Sequence, residues 1–256
     1  MNLLALSAFA DNYIWMFHDG QQAVVVDPGD AAPVHAALDA LGLTLHSILV
    51  THHHADHVGG VDALRARLSG AVYGPAHEKI PTPFVPLSDG QQIEVLGQRF
   101  AIIDVPGHTA GHIAYAQQDQ AKAPWLFCGD TLFSAGCGRL FEGTPAQMAA
   151  SLARLSALPS DTQVCCTHEY TLSNLSFAAA VEPLNPHIIQ HTAHCQALRQ
   201  AGQPTLPSNM ALELLINPFL RCHETAVQAT ALAHGAAAND SVSVLAALRE
   251  WKNNYR

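Results

Sequence analysis

The chain is short of cations. Only 12 Lys and Arg stand against 21 Asp and Glu in 256 residues, a formal charge of −9 with histidine neutral. So acidic a chain carries no broad basic face, which excludes nucleic-acid binding through one. The first Lys or Arg is Arg65, so the opening apolar stretch lacks the basic flank of a signal peptide. Asp11 and Asn12 interrupt that stretch, and no run reaches the roughly 18 apolar residues that span a bilayer. The six cysteines (Cys128, Cys137, Cys165, Cys166, Cys195, Cys222) form no C-x-x-C pair. In a chain this long they are expected to be buried, reduced thiols and not a disulfide framework. These absences lead to the expectation of a cytoplasmic protein with no membrane and no nucleic-acid partner.

What is present is apolar bulk and histidine. Hydrophobic residues make up 49% and charged residues 13%, the latter about half the usual share. Such a composition can bury a large core and excludes intrinsic disorder. Histidine numbers 16, more than all the lysines and arginines together.

Through about residue 165 the pattern is one of short strands punctuated by turns. Strands are predicted over Leu3–Phe9, Tyr13–Phe17, Ala23–Val26, Ser47–Val50, His112–Gln117, Trp125–Cys128 and Gln163–Cys166. Gln91–Val95 and Arg99–Val105 form a predicted hairpin across Leu96-Gly97-Gln98, and Asp27-Pro28-Gly29-Asp30 reads as a stop signal. Helices are predicted over Pro33–Leu41, Val61–Leu68 and Pro145–Leu158. After His168 the pattern turns helical: Thr171–Val181, Pro186–Gln200, Asn209–Leu215, Thr225–Ala233 and Ser241–Lys252. The expected division is a strand-rich domain over 1–165 and a smaller helical domain over 166–256.

The segment Thr51-His52-His53-His54-Ala55-Asp56-His57 follows directly on the predicted strand Ser47–Val50. Alternate side chains of an extended segment share a face, so His52 and His54 can approach one cation. Asp56 and His57, after the chain turns, can serve a second. Imidazole and carboxylate donors suit zinc, iron or manganese. Three further candidates sit just after predicted strands: His108 in Pro106-Gly107-His108-Thr109, Asp130 in Gly129-Asp130-Thr131, and His168 in Thr167-His168-Glu169. Loop ends on one rim of a sheet are where binding groups converge. His53 and His112 are kept out of the ligand set, with an orienting role for either left open.

The ordered set T-H-H-H-A-D-H, G-H-T, G-D-T and T-H-E-Y resembles the metallo-β-lactamase superfamily over roughly residues 1–170. The stretches F-A-D-N-Y-I-W (9–15), V-D-P-G-D (26–30), G-D-T-L-F-S-A-G-C-G-R-L-F-E-G-T (129–144), T-H-E-Y-T-L-S-N-L-S-F-A (167–178), N-P-F-L-R (217–221) and R-E-W-K (249–252) are similar to the glyoxalase II family of hydroxyacylglutathione hydrolases. That resemblance spans nearly the whole chain. It implies an α+β fold: an αββα sandwich followed by a small C-terminal helical domain. It implies two divalent ions per chain, zinc first with iron or manganese as alternatives. His52, His54 and His108 would hold one ion, Asp56, His57 and His168 the other, with Asp130 bridging.

The resemblance also implies the reaction: hydrolysis of S-(2-hydroxyacyl)glutathione, chiefly S-D-lactoylglutathione, to glutathione and D-lactate, the second step of methylglyoxal detoxification. Arg139, Tyr170, Arg249 and Lys252 match positions that contact glutathione in relatives. Some relatives carry tyrosine where this chain has Phe141, which has no hydroxyl, so no hydrogen-bonding role passes to it. Independently, Arg249, Lys252 and Arg256 crowd the last eight residues of a cation-poor chain. Arg249 and Lys252, three apart on one helix face, can grip a carboxylate, although a cationic last turn also suits the helix dipole. The alternatives are a lactonase, a different thioesterase, or a non-enzymatic metal-binding protein. The remaining expectations are a small-molecule substrate and a monomer.

Overall fold

The strand Asn12–His18 (β2) is buried along its whole length, which requires a layer on each of its faces. Alternation assigns them. Ile14 and Met16 join an apolar cluster with Val34 and Leu38 of the helix Ala31–Leu41 (α1). Phe17 points the other way, with ring centroids 5.7 Å from Phe100, 5.5 Å from Trp125 and 6.0 Å from Phe127. A helix covers one face of the sheet and a second sheet covers the other.

The computed structural model describes residues 1–118 and 123–255, so Arg256 lies outside the described residues. The chain forms two compact units, Met1–Asp104 with Ala110–Gly129, and Val105–Thr109 with Asp130–Arg256. In the first unit, Asn2–Ala8 (β1), β2, Gln22–Val26 (β3), Thr44–Leu49 (β4), Val72–Pro75 (β5) and Val85–Leu87 (β6) form one sheet in sequence order. Pairing is antiparallel through β3 and parallel thereafter. The second sheet of this unit runs antiparallel through Gln92–Val95 (β7), Gln98–Asp104 (β8), Ile113–Gln117 (β9) and Trp125–Gly129 (β10).

Local chemistry sets several of these boundaries. The β7–β8 hairpin pairs Val95 with Gln98. Its two-residue loop therefore needs positive φ twice, supplied by Leu96 at 50° and Gly97 at 71°. Strand β1 stops at Ala8 because Phe9 takes a left-handed backbone. The predicted helix Val61–Leu68 is instead a short α-turn, Val61–Leu64 (α3), and a 3₁₀ turn over Arg65–Arg67. Leu68 leaves the helix to form a parallel bridge with Leu45.

In the second unit, Leu132–Phe133 (β11) and Gly136–Cys137 (β12) form a small hairpin, and Gln163–Cys166 (β13) pairs with Ser208–Asn209 (β14). Its helices are Pro145–Ser156, Thr171–Val181, Pro186–Gln200, Met210–Ile216, Thr225–Ala233 and Ser241–Asn254. They are α4 to α9 here, with Ala55–Val58 as α2. Helix α4 starts with a capping box between Thr144 and Gln147, and Pro145 takes its first turn. Asn185 caps α6 and Asp240 caps α9. Ala135, Leu175, Ala178, Ile188 and Ile216 build the apolar cluster under α5, α6 and α7.

Phe17 meets three other rings in the sandwich interior, as does Phe127, and truncating it leaves a cavity among them. Phe17→Ala is expected to cost about 3–5 kcal/mol, read as a shift in the urea unfolding midpoint at unchanged slope. A loss under about 1 kcal/mol would contradict this packing account.

Candidate metal centre

In the first unit the donor residues leave the carboxyl ends of the parallel strands β3 and β4. Asp27 follows β3 with φ of 52°, a backbone region Asp tolerates better than most residues. Its carboxylate is buried and accepts three hydrogen bonds. Thr51 N donates to Oδ1 at 2.7 Å, Thr51 Oγ1 to Oδ2 at 2.7 Å, and His57 Nδ1 lies 3.0 Å from Oδ2. With Nδ1–H donated to Asp27, His57 keeps Nε2 unprotonated, the form a metal requires. Gly29 makes the arrangement possible: a Cβ there would lie 1.9 Å from the Asp56 carbonyl oxygen.

His52 Nε2 and His54 Nδ1 are 3.1 Å apart, and His57 Nε2 is 3.6 Å from Asp56 Oδ2. Asn12 Nδ2 donates to Asp56 Oδ2 at 3.0 Å, steadying that carboxylate. The two histidines kept out of the ligand set are both tied down. His53 turns to Glu78, whose Oε2 accepts from its backbone N at 2.6 Å and lies 2.9 Å from its Nδ1. His112 stacks on His52 at 4.6 Å, with Nδ1 3.0 Å from the Ile113 carbonyl.

The second unit brings together His108, Asp130 and His168. His108 Nε2 lies 3.4 Å from Asp130 Oδ2, and His168 Nε2 lies 3.3 Å from Asp130 Oδ1. Each carboxylate oxygen thus faces a different imidazole. His108 Nδ1 is 2.8 Å from the Arg139 carbonyl, which fixes its tautomer with Nε2 as acceptor. His168 stacks on Tyr170 with centroids 4.7 Å apart and planes at 3°, and Phe133 meets both rings edge-on.

These separations test whether the donors fit a metal. Ligand atoms held at about 2.0–2.2 Å from one divalent ion stand roughly 3.0–3.5 Å from each other. The four donor pairs, at 3.1, 3.6, 3.4 and 3.3 Å, fall on or beside that range. Nitrogen and carboxylate donors, oriented from behind by Asp27, Asn12 and the Arg139 carbonyl, fit divalent ions.

A cavity of about 480 Å³ opens within the second unit, a size usual for small-molecule sites. His108, Asp130, Arg139, Tyr170, Arg249 and Lys252 all line it. Arg249 is 6% exposed, and among the described residues its guanidinium pairs with no carboxylate. It donates to the Cys137 carbonyl at 2.8 Å and to Asn253 Oδ1 at 3.1 Å. Lys252 Nζ donates to the Ser173 carbonyl at 3.2 Å. Burial, then the neighbouring Arg249 and Arg139 charges, pushes the Lys252 ammonium down to about 8. Phe141 borders the cavity and meets the His108 ring at 5.2 Å. All six cysteines are buried outside any disulfide, and burial raises the thiols of Cys137, Cys165, Cys166, Cys195 and Cys222, so none of these five supplies a ready thiolate nucleophile.

Sequence reasoning missed Asp27, Asn12 and Glu78. The first two lie in V-D-P-G-D and F-A-D-N-Y, where a polar residue flanking an apolar strand was the available signal. Glu78 lies in a turn region with no such mark. Among the described residues no helix is long and apolar enough to cross a membrane.

Residues 9–168 match the family model of the metallo-β-lactamase superfamily, and residues 169–255 match that of the hydroxyacylglutathione hydrolase C-terminus. The chain is 60% identical over 255 residues to a hydroxyacylglutathione hydrolase of Albidiferax ferrireducens, covering 100% of both chains. It is 55% identical to the Pseudomonas aeruginosa hydroxyacylglutathione hydrolase, covering 98% of each. Among solved structures, ETHE1 from Myxococcus xanthus superposes with a TM-score of 0.64 at 27% identity, over 86% of this chain and 84% of that one. The α+β expectation, a metallo-β-lactamase fold followed by a further C-terminal domain, therefore holds.

Asp27→Ala removes the acceptor that orients His57 and anchors Thr51. Divalent-ion affinity is expected to fall about 10–100-fold, read by competition against a chelator with elemental analysis of the retained metal. Unchanged retention would show that the carboxylate does not orient the donors.

Proposed function

Because the chain belongs to the hydroxyacylglutathione hydrolase family of the metallo-β-lactamase superfamily, we propose that it hydrolyses S-(2-hydroxyacyl)glutathione thioesters. S-D-lactoylglutathione is the principal substrate, yielding glutathione and D-lactate in the second step of methylglyoxal detoxification. The observation that carries this reading is the cavity of the second unit, where Arg249 and Lys252 face the same space as His108 and Asp130. An anionic tripeptide bearing a reactive acyl group needs both in one place.

We assign His52, His54 and His108 to one divalent ion and Asp56, His57 and His168 to the other, with Asp130 serving both. The two oxygens of Asp130, each turned to a different histidine, support the bridging role. Zinc is the first choice, with iron or manganese as alternatives, since imidazole and carboxylate accept all three. When bound, such ions polarise a carbonyl and lower the pKa of water toward neutrality. The residues do the rest. Asp56, steadied by Asn12, accepts a hydrogen bond from the attacking water and orients it toward the thioester carbon. The water oxygen bonds to the acyl carbon as its proton passes to solvent, the C–S bond then breaks, and sulfur departs as a thiolate stable enough to need no strong general acid.

Arg139, Arg249, Lys252 and Tyr170 bind the glutathione half. Arg249 is buried before substrate arrives, so it loses little freedom on pairing with a carboxylate. We keep residues 1–165 as the catalytic domain and 166–256 as the substrate-binding one, acting as a cytoplasmic monomer without nucleic-acid partner.

Lys252→Ala removes a charge-assisted contact of about 1.5–3 kcal/mol, or about one to two decades in kcat/KM. The loss should appear in KM with kcat nearly constant, and a simple thioester lacking the peptide should be indifferent. Equal kcat/KM for lactoylglutathione before and after substitution would refute the glutathione-site assignment.

The depressed Lys252 pKa gives a second test. The ammonium is charged below about pH 8 and neutral above it, so KM for lactoylglutathione is expected to rise as pH passes through 8. Lys252→Arg, charged throughout, should flatten that rise. A rise identical in the two proteins would assign it to another group.

A further inference from the structure

The β11–β12 hairpin turns through Ser134 and Ala135 inside the protein, where exposed backbone groups have no water to satisfy them. Helices supply side chains instead. Asn217 Nδ2, from the end of α7, donates to the Phe133 carbonyl at 3.1 Å and the Gly136 carbonyl at 2.9 Å. Asn174 Nδ2, on α5, donates to the Ser134 carbonyl at 3.0 Å. Ala135, at φ of 53°, donates its N–H to Glu213 Oε2 at 2.8 Å. Glu213 also accepts from Asn217 Nδ2 at 3.1 Å and from the Ser208 hydroxyl. Glu213 and Asn217 are fully buried.

A carboxyl group in such a place is costly, and an apolar side chain of its size would pack there more cheaply. What the hairpin touches suggests the reason for retaining it. Asp130 lies two residues before β11, and Thr131 accepts from Gly138 N at 3.2 Å across the hairpin base. Phe133 packs edge-on against His168 and Tyr170 at 5.8 and 5.4 Å. Cys137 offers its carbonyl to Arg249. One hairpin thus abuts an Asp130 ligand, a histidine ligand and the cation that reads the substrate.

We propose that Glu213, with Asn217, is a positioning residue that clamps this hairpin, setting Asp130 and His168 for the metal ions and Arg249 for glutathione at once. This rests on the reading of the site given above. The clamp works through acceptance of the Ala135 N–H, so the amide of Glu213→Gln can replace it while Glu213→Leu cannot.

The test compares full-length Glu213→Leu, Glu213→Gln and Ser208→Ala with the unmodified protein. It measures metal retention against a chelator by elemental analysis, and KM for lactoylglutathione beside that for a simple thioester. In Glu213→Leu, metal affinity is expected to fall about tenfold or more, with KM rising for lactoylglutathione alone. Glu213→Gln should recover most of both. Ser208→Ala deletes one bond to Glu213 and almost no volume, so it keeps the test informative if Glu213→Leu does not fold, and it should shift both readouts in the same direction by a smaller factor. Variants that unfold more readily yet match the unmodified protein in retention and KM would overturn the clamp, leaving Glu213 as a stabilising group only. An unmodified protein that retains no metal and leaves lactoylglutathione intact would instead overturn the underlying reading.

Discussion

The arrangement of the first unit depends on where the Asp27 carboxylate puts its lone pairs. At the end of β3 it accepts from the backbone and hydroxyl of Thr51, just past the end of β4, and from His57, six residues further on. A single buried side chain thereby ties two parallel strand ends to the histidine segment and selects the tautomer of one imidazole. Left-handed backbone at a non-glycine residue is sustained only where surroundings over-determine it, and here three hydrogen bonds do so. The close passage of Gly29 under Asp56 is the steric counterpart of the same constraint.

The second unit uses a comparable device. Glu213 is buried, accepts a backbone N–H and a hydroxyl, and serves a turn with a positive φ, as Asp27 serves the end of a strand. In both places a carboxylate hidden from water holds main chain close in sequence to candidate donors, His52 just after Thr51 and Asp130 five residues before Ala135. Buried polar networks of this kind are costly unless complete, and when complete they leave one geometry. Precision of about half an ångström in the donors is what metal-assisted chemistry demands. The same cavity wall carries Arg249, so the proposed glutathione contact would share that rigidity.

The candidate histidines and aspartates stood out in the sequence because they lie just after apolar strands. The unbroken apolar run Tyr13–Phe17 of β2 and the Leu96-Gly97-Gln98 turn marked strand and hairpin plainly. The short strands β5 and β6 were not expected. Val72-Tyr73-Gly74-Pro75 and Val85-Pro86-Leu87 carry the residues of turns. Proline survives in β6 because that strand lies at the sheet edge, where its missing N–H is not needed. Val61–Leu68 showed helical spacing, but the tertiary bridge from Leu68 to Leu45 broke it. Asp27, Glu78 and Glu213 could not be singled out, since an acceptor's value lies in which distant N–H it meets.

The central claim is that the proposed His and Asp donors hold two metal ions, and that thioester hydrolysis depends on them. The most direct measurement is titration of metal-free protein with zinc, following bound metal and S-D-lactoylglutathione hydrolysis on the same samples. The account expects binding to saturate near two equivalents per chain, with activity reaching its maximum only as the second is filled. Saturation at two equivalents without hydrolysis of the thioester, or full hydrolysis in metal-free protein, would contradict it.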